Sequence, residues 1–165
     1  MRSTEKFPCP CCNGSLYVAG SRQRKYIKSS GEVIVLMIRR LRCKNCRRIH
    51  HELPDILVPF KRYDSESIEA VVAGNSNLHV AADESTLYRW QSWFHQLAPY
   101  FAGCLASIAL RFFAKDVEDL PSPPRSVLQR IWQFTDRISG WLSRTVRSIT
   151  NANLWIQTRS AFLSG

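Results

Sequence analysis

Acidic residues are scarce in the N-terminal part of this 165-residue chain: residues 1–63 hold 4 Asp and Glu against 14 Lys and Arg, whereas residues 64–165 hold 9 of each. The whole formal charge of +10 is therefore concentrated in that first stretch. Such an excess excludes an acidic binding surface there and points to a polyanion, nucleic acid before membrane. No secretory leader is expected either, since Met1–Lys6 is polar and no apolar run follows it. The expected compartment is a reducing cytoplasm, where paired cysteines serve metals rather than disulfides. No stretch is expected to span a membrane. Trp90–Leu110 lacks Asp, Glu, Lys and Arg, yet it contains Gln91, Ser92, His95, Gln96 and Pro99, and its first half is amphipathic. Internal repeats and low-complexity segments are absent as well. With 45% hydrophobic and 11% aromatic residues the chain is expected to fold, as one or two small domains.

Against these absences stand two C-x2-C pairs. Cys9-Pro10-Cys11-Cys12-Asn13-Gly14 and Cys43-Lys44-Asn45-Cys46-Arg47-Arg48 are separated by thirty residues that read as a basic hairpin. Leu16–Lys28 alternates loosely, Ser29-Ser30-Gly31-Glu32 is a turn signal, and Glu32–Arg42 is rich in β-branched residues. A hairpin brings the two pairs together, and four sulfurs at this spacing are the ligand set of a closed tetrahedral zinc site: Cys9, Cys12, Cys43 and Cys46. Cys11, His50 and His51 lie close enough in sequence to replace one of them. Four thiolates leave no open coordination position, so the expected cofactor is one structural Zn2+ and not a catalytic one. Asn13 and Gly14 suit a turn that needs a positive φ.

The hairpin cations Arg22, Arg24, Lys25, Lys28, Arg39, Arg40, Arg42, Lys44, Arg47 and Arg48, with Lys61 and Arg62 beyond it, are candidates to neutralise the phosphates of duplex DNA. Contacts of this kind set position without reading sequence. Arg48–Leu53 predicts a third strand and Pro54–Tyr63 an extended connector. A short helix is expected from Asp64 or Ser65 to about Ala73. A second runs from Asp83 to about Leu97, with Leu87, Trp90, Phe94 and Leu97 at helical spacing. At its start Ser85, Thr86 and Arg89 are candidates for base or phosphate contact, as at the tip of a recognition helix. Pro99–Ala114 reads as a separate apolar helix and residues 116–124 as an acidic, proline-bearing linker. From Ser126 a helical stripe of Leu128, Ile131, Ile138, Leu142 and Ile149 leads to a break at Asn151-Ala152-Asn153 and a short tail. Cys104 is expected in the core. The expected fold is α+β: a zinc ribbon over 1–63, a helix-turn-helix-like unit over 64–98 and a C-terminal helical region over 99–165.

The run from Cys9 to Gly14, the basic hairpin, and Arg42-Cys43-Lys44-Asn45-Cys46-Arg47-Arg48-Ile49-His50-His51-Glu52-Leu53-Pro54 together resemble the N-terminal zinc-ribbon module of bacterial insertion-sequence transposases. Ser85-Thr86-Leu87-Tyr88-Arg89-Trp90 is similar to the recognition-helix start of transposase and integrase helix-turn-helix units. The chain also resembles a bacterial family of unknown function associated with mobile elements, over about residues 7 to 97. The resemblance implies that the four cysteines carry zinc and that the helix from Ser85 carries DNA contacts. Transposases continue into a domain with three separated carboxylates that hold divalent metal. Here Asp116, Glu118 and Asp119 cluster in a linker and Asp136 stands alone, so no enzyme is expected. The function expected is that of a zinc-dependent DNA-binding accessory or regulatory protein, with a transposase or other recombination protein as a further partner. A zinc-stabilised protein–protein adaptor and an RNA-binding zinc ribbon are the alternatives.

Overall fold

The computed structural model describes residues 8–75, 79–113, 126–155 and 161–164. Three of its strands lie where the alternation and turn signals put them: β1 Leu16–Ile27, β2 Val33–Cys43 and β3 Ile49–Pro54. The antiparallel β1–β2 register sets Leu16 opposite Cys43 and Ile27 opposite Val33, with a bulge between Val18 and Gly20. β3 pairs with β2 over only three residues, Arg40–Arg42, so the distal half of the hairpin is a two-stranded ribbon. A fourth strand, β4 Ala161–Ser164, adds parallel to β3, giving the order β1-β2-β3-β4. It falls in what the sequence presents as a plain tail; four residues are too few to show a period.

The helices are α1 Ser65–Val72, α2 Glu84–Phe113, α3 Val127–Thr135 and α4 Trp141–Asn151. Asp64 caps α1 through its side chain, which accepts from Ser67 N. Asp83 accepts from Thr86 N in the same way at the start of α2. Two expectations change here. α2 does not stop near Leu97: it is one 30-residue helix with Pro99 inside it. An interior proline costs about 3 kcal/mol, but the stripe Phe94, Ala98, Phe101, Ala102 and Leu105 is buried straight through that position. Phe94 meets Trp141 edge-on at 5.6 Å and Phe101 stacks on Trp155 at 5.3 Å, so packing on both sides of Pro99 holds the helix together. Conversely, the stripe from Leu128 to Ile149 is two helices. The break runs from Asp136 (φ 61) to Gly140 (φ 87), both at positive φ. The expected linker 116–124 and the polar start Met1–Lys6 lie outside the described residues.

A single buried cluster draws on all parts of the chain: Tyr26 and Ile38 of the hairpin, Leu53, Leu57 and Val58, Ile68 of α1, the aromatic face of α2, and Leu142, Val146 and Ile149 of α4. The hairpin is therefore packed on the helices along its inner face. Its far end is tied by hydrogen bonds as well, Ile27 N to Arg62 O, Asp64 N to Ile27 O and Ala81 N to Ser29 O. Cys104 is buried in this core, as expected. Among the described residues no helix is long and apolar enough to cross a membrane.

One buried carboxylate fixes α4. Gly140 provides no side-chain cap, and Glu69 of α1 reaches across to accept from Gly140 N and Leu142 N, both at 2.8 Å. Charge-assisted bonds of this kind contribute about 1.5–3 kcal/mol each, net of the exchange with water. Replacing Glu69 with alanine is expected to cost on the order of 2–3 kcal/mol in urea unfolding, with Glu69→Gln losing less because one acceptor oxygen remains.

Candidate metal centre

Each cysteine pair sits on a tight knuckle built by the same local rules. In the first, Asn13 N and Cys12 N turn back onto Cys9 O while Cys9 N donates to Gly14 O. In the second, Cys43 N donates to Arg48 O and Asn45 N points at Cys43 Sγ, 3.3 Å away. The residue after the second cysteine of each pair is left-handed: Asn13 at φ 55 and Arg47 at φ 62. Asn tolerates that region well and Arg less so. Gly14 does not adopt a positive φ; its lack of a side chain serves a close approach instead. A Cβ there would lie 2.7 Å from the Asn45 side chain and 3.0 Å from Cys43 Sγ.

The Leu16–Cys43 register docks the knuckles against each other, and Lys44 N donates to Ser15 O at their junction. As a result the four sulfurs of Cys9, Cys12, Cys43 and Cys46 all lie within 4.8 Å of one another. Cys9 Sγ is 3.7 Å from Cys46 Sγ, and Cys12 Sγ is 3.5 Å from Cys43 Sγ. A tetrahedral ion with metal–sulfur bonds of about 2.3 Å holds its sulfurs about 3.8 Å apart. The cluster therefore has the dimensions of a four-sulfur metal site. Its thiols differ in readiness. Burial, against opposing bonds from the backbone of Cys11 and Cys12, pushes the Cys9 thiol up to about 12. At Cys43 burial is outweighed by the backbone amides of Cys46 and Asn45 and the thiols of Cys12 and Cys46, which bring it down to about 6. Metal binding to such a cluster is linked to proton release, because thiolates and not thiols are the ligands.

Two of the neighbouring donors weighed from the sequence are also in place. His50 is fully buried with Nε2 3.3 Å from Cys9 Sγ, and Cys9, Cys11 and His50 form a second group of donors within 4.8 Å. Burial and then Arg48 hold His50 below its ordinary pKa, which keeps the ring neutral. Arg48 Nη1 also donates to Cys11 Sγ at 3.4 Å. His51 belongs to neither group. It lies on the opposite face of β3, in register with Arg40.

The structure divides the candidate phosphate-binding residues. Arg24 donates to Lys61 O at 2.7 Å, Arg39 is ion-paired with buried Glu52, Arg42 donates to Arg47 O, and Lys28 pairs with Glu32. Lys61 lies 4.2 Å over the Trp93 ring. These five cations hold internal contacts. Among the described residues Arg22, Lys25, Arg40, Lys44, Arg47 and Arg62 form no ion pair. Arg40 is the cross-strand partner of Gly20 and of His51, and Arg22 lies two residues from Gly20 on the same face. Arg62 lies near Arg24: after burial, Arg22 and Arg62 lower the pKa of Arg24, and Arg22 and Arg40 lower that of His51. At the start of α2, Ser85 and Arg89 are exposed, Thr86 is half-buried, and Arg89 folds back on Ser85 O and Oγ at 3.1 and 2.7 Å. The connector between α1 and α2 spans residues 73–83, longer than the three- or four-residue turn of a helix-turn-helix.

Sequence reasoning gave no hint of a cavity of about 610 Å3 beside the first knuckle, where Pro10 and Cys11 face Ile108 and Arg111 of α2 and Asn151 of α4. Residues about a hundred positions apart share it, and no local pattern links them.

An α+β protein with a four-cysteine knuckle centre is thus defined. Residues 9–90 match a family described as a domain of unknown function (DUF6431), a span that takes in both knuckles, the hairpin, α1 and α2 as far as Trp90. No curated protein and no solved structure matches the chain.

Gly14→Ala crowds Asn45 and Cys43 Sγ, and overpacking of this sort costs about 1–3 kcal/mol. Chelator competition is expected to show metal affinity lower by roughly tenfold or more, while Cys43→Ser loses tight binding at this centre.

Proposed function

We propose that the protein is a zinc-dependent, non-catalytic DNA-binding protein acting as an accessory or regulator of a bacterial mobile element. Zinc is the ion favoured by four thiolates in tetrahedral spacing at a site closed to substrate. The observation that carries the DNA reading is the pair Arg22 and Arg40 on one face of the hairpin, with Arg62 bonded to Ile27 at its far end, none of them paired with an acid among the described residues. Unpaired guanidinium groups on a metal-stiffened sheet suit a phosphate backbone, because little backbone freedom remains to be lost on binding. Ser85, Thr86 and Arg89 at the exposed start of α2 would supply base or further phosphate contacts once Arg89 swings off Ser85. The mobile-element setting, with a transposase or another recombination protein as partner, rests on the likeness of the cysteine segments and of Ser85–Trp90 to transposon proteins.

A protein-adaptor reading has its own support. Val33, Val35 and Met37 are 57%, 50% and 62% exposed on the outer face of the hairpin, an apolar strip unusual for a surface that only meets phosphates.

Electrophoretic shifts with duplex DNA and RNA across a salt series, with and without chelator, decide between these. The expected result is duplex retention that weakens steeply with salt and is lost on metal removal. The combined Arg22→Ala, Arg40→Ala and Arg62→Ala variant should bind uniformly more weakly, with a log–log salt slope shallower by about 2–3. No duplex affinity at low salt, or a clear preference for RNA, would remove the DNA reading.

A further inference from the structure

Two further strong donors stand beside the four-sulfur centre. Cys11 and His50 lie within 4.8 Å of each other and of Cys9, which already belongs to the first set. We propose that Cys9, Cys11 and His50 form a second metal site for a borderline-to-soft cation of the Zn2+ class, with the Cys9 thiolate bridging the two ions. This rests on the first centre being occupied, because Cys9 is common to both.

The geometry fits. Two ligands of one tetrahedral ion, a thiolate at about 2.3 Å and an imidazole nitrogen at about 2.0–2.1 Å, stand about 3.5 Å apart; His50 Nε2 and Cys9 Sγ are 3.3 Å apart. His50 is fully buried, and its Nδ1 has no hydrogen-bond partner among the described residues. A buried imidazole that meets only a sulfur is poorly satisfied as a packing residue, whereas a cation gives it a strong partner.

Charge and access agree with the assignment. Five thiolates against two divalent ions leave a net negative cluster, and the Arg48 guanidinium already stands against Cys11 Sγ to offset it. Asn153 Oδ1 lies 3.9 Å from Cys11 Sγ, an oxygen donor at the margin of the same site. Cys11 also lines the cavity of about 610 Å3, so the site opens on that side. Three protein ligands and an open side are the arrangement of an exchangeable rather than a closed centre. The second ion should accordingly load after the first and leave before it.

Native mass spectrometry of the full chain, reconstituted with Zn2+ alone, tests this directly. Two bound ions are expected for the unaltered protein, the second lost first under mild chelation. Cys11→Ser and His50→Gln should each hold one ion, with the first centre retained. Cys11→Ser is the safer variant, because Cys11 is not fully buried. Saturation at one ion would overturn the second site and leave the four-sulfur centre standing. Two ions in both variants would place the second elsewhere and overturn it equally. No bound ion at all would end both readings.

Discussion

The β1–β2 register is the constraint on which the rest depends. It places Leu16 beside Cys43 and so delivers both knuckles to one point, where four sulfurs meet at metal-ligand spacing. A short sheet with a mostly exposed outer face cannot bury enough apolar surface to hold itself. Here it is fastened at two ends: the base by the cysteine knuckles, the inner face by Tyr26, Ile34, Leu36 and Ile38 against the helical core. Sliding the pairing by one residue would turn Ile38 to solvent and swing Cys43 away from Cys9 and Cys12.

That double fastening links the metal centre to regions far along the chain. Ile38 and Leu53 lie in the same cluster as Phe101, Leu142 and Trp155. Glu69 then joins α1 to the start of α4 through two backbone amides. The segment that matches the family ends at Trp90, yet α2 continues for more than twenty residues beyond it and carries much of the aromatic core. The hairpin and α2 are held together by core residues on both sides of that boundary.

The chemistry of the surface follows from which charges the fold consumes. Ten hairpin cations look equivalent in sequence, but tertiary contacts separate them. Arg39 is committed to Glu52 and Arg24 to the Lys61 carbonyl, while Arg22 and Arg40 stay unpaired on one face. Lys61 covers an aromatic ring, and burial there lowers its pKa, so it is not a cation held out for an anion. A cation count therefore overstates the number of groups held ready for an anion, and the register identifies the row that remains.

By itself the sequence determined the four-cysteine cluster, the three antiparallel strands and the starts of α1 and α2. Each is a local matter of cysteine spacing, alternation, turn residues and capping side chains acting over a few positions. Only the tertiary structure decided that α2 runs through Pro99, because packing against Trp141 and Trp155 outweighs the local penalty of proline. It alone decided that the later stripe breaks at Asp136–Gly140 and that β4 pairs with β3, since neither is encoded within the segment concerned. It also set His50 and Cys11 beside Cys9, and Gly14 against Asn45, because closing the hairpin fixes distances that spacing along the chain does not.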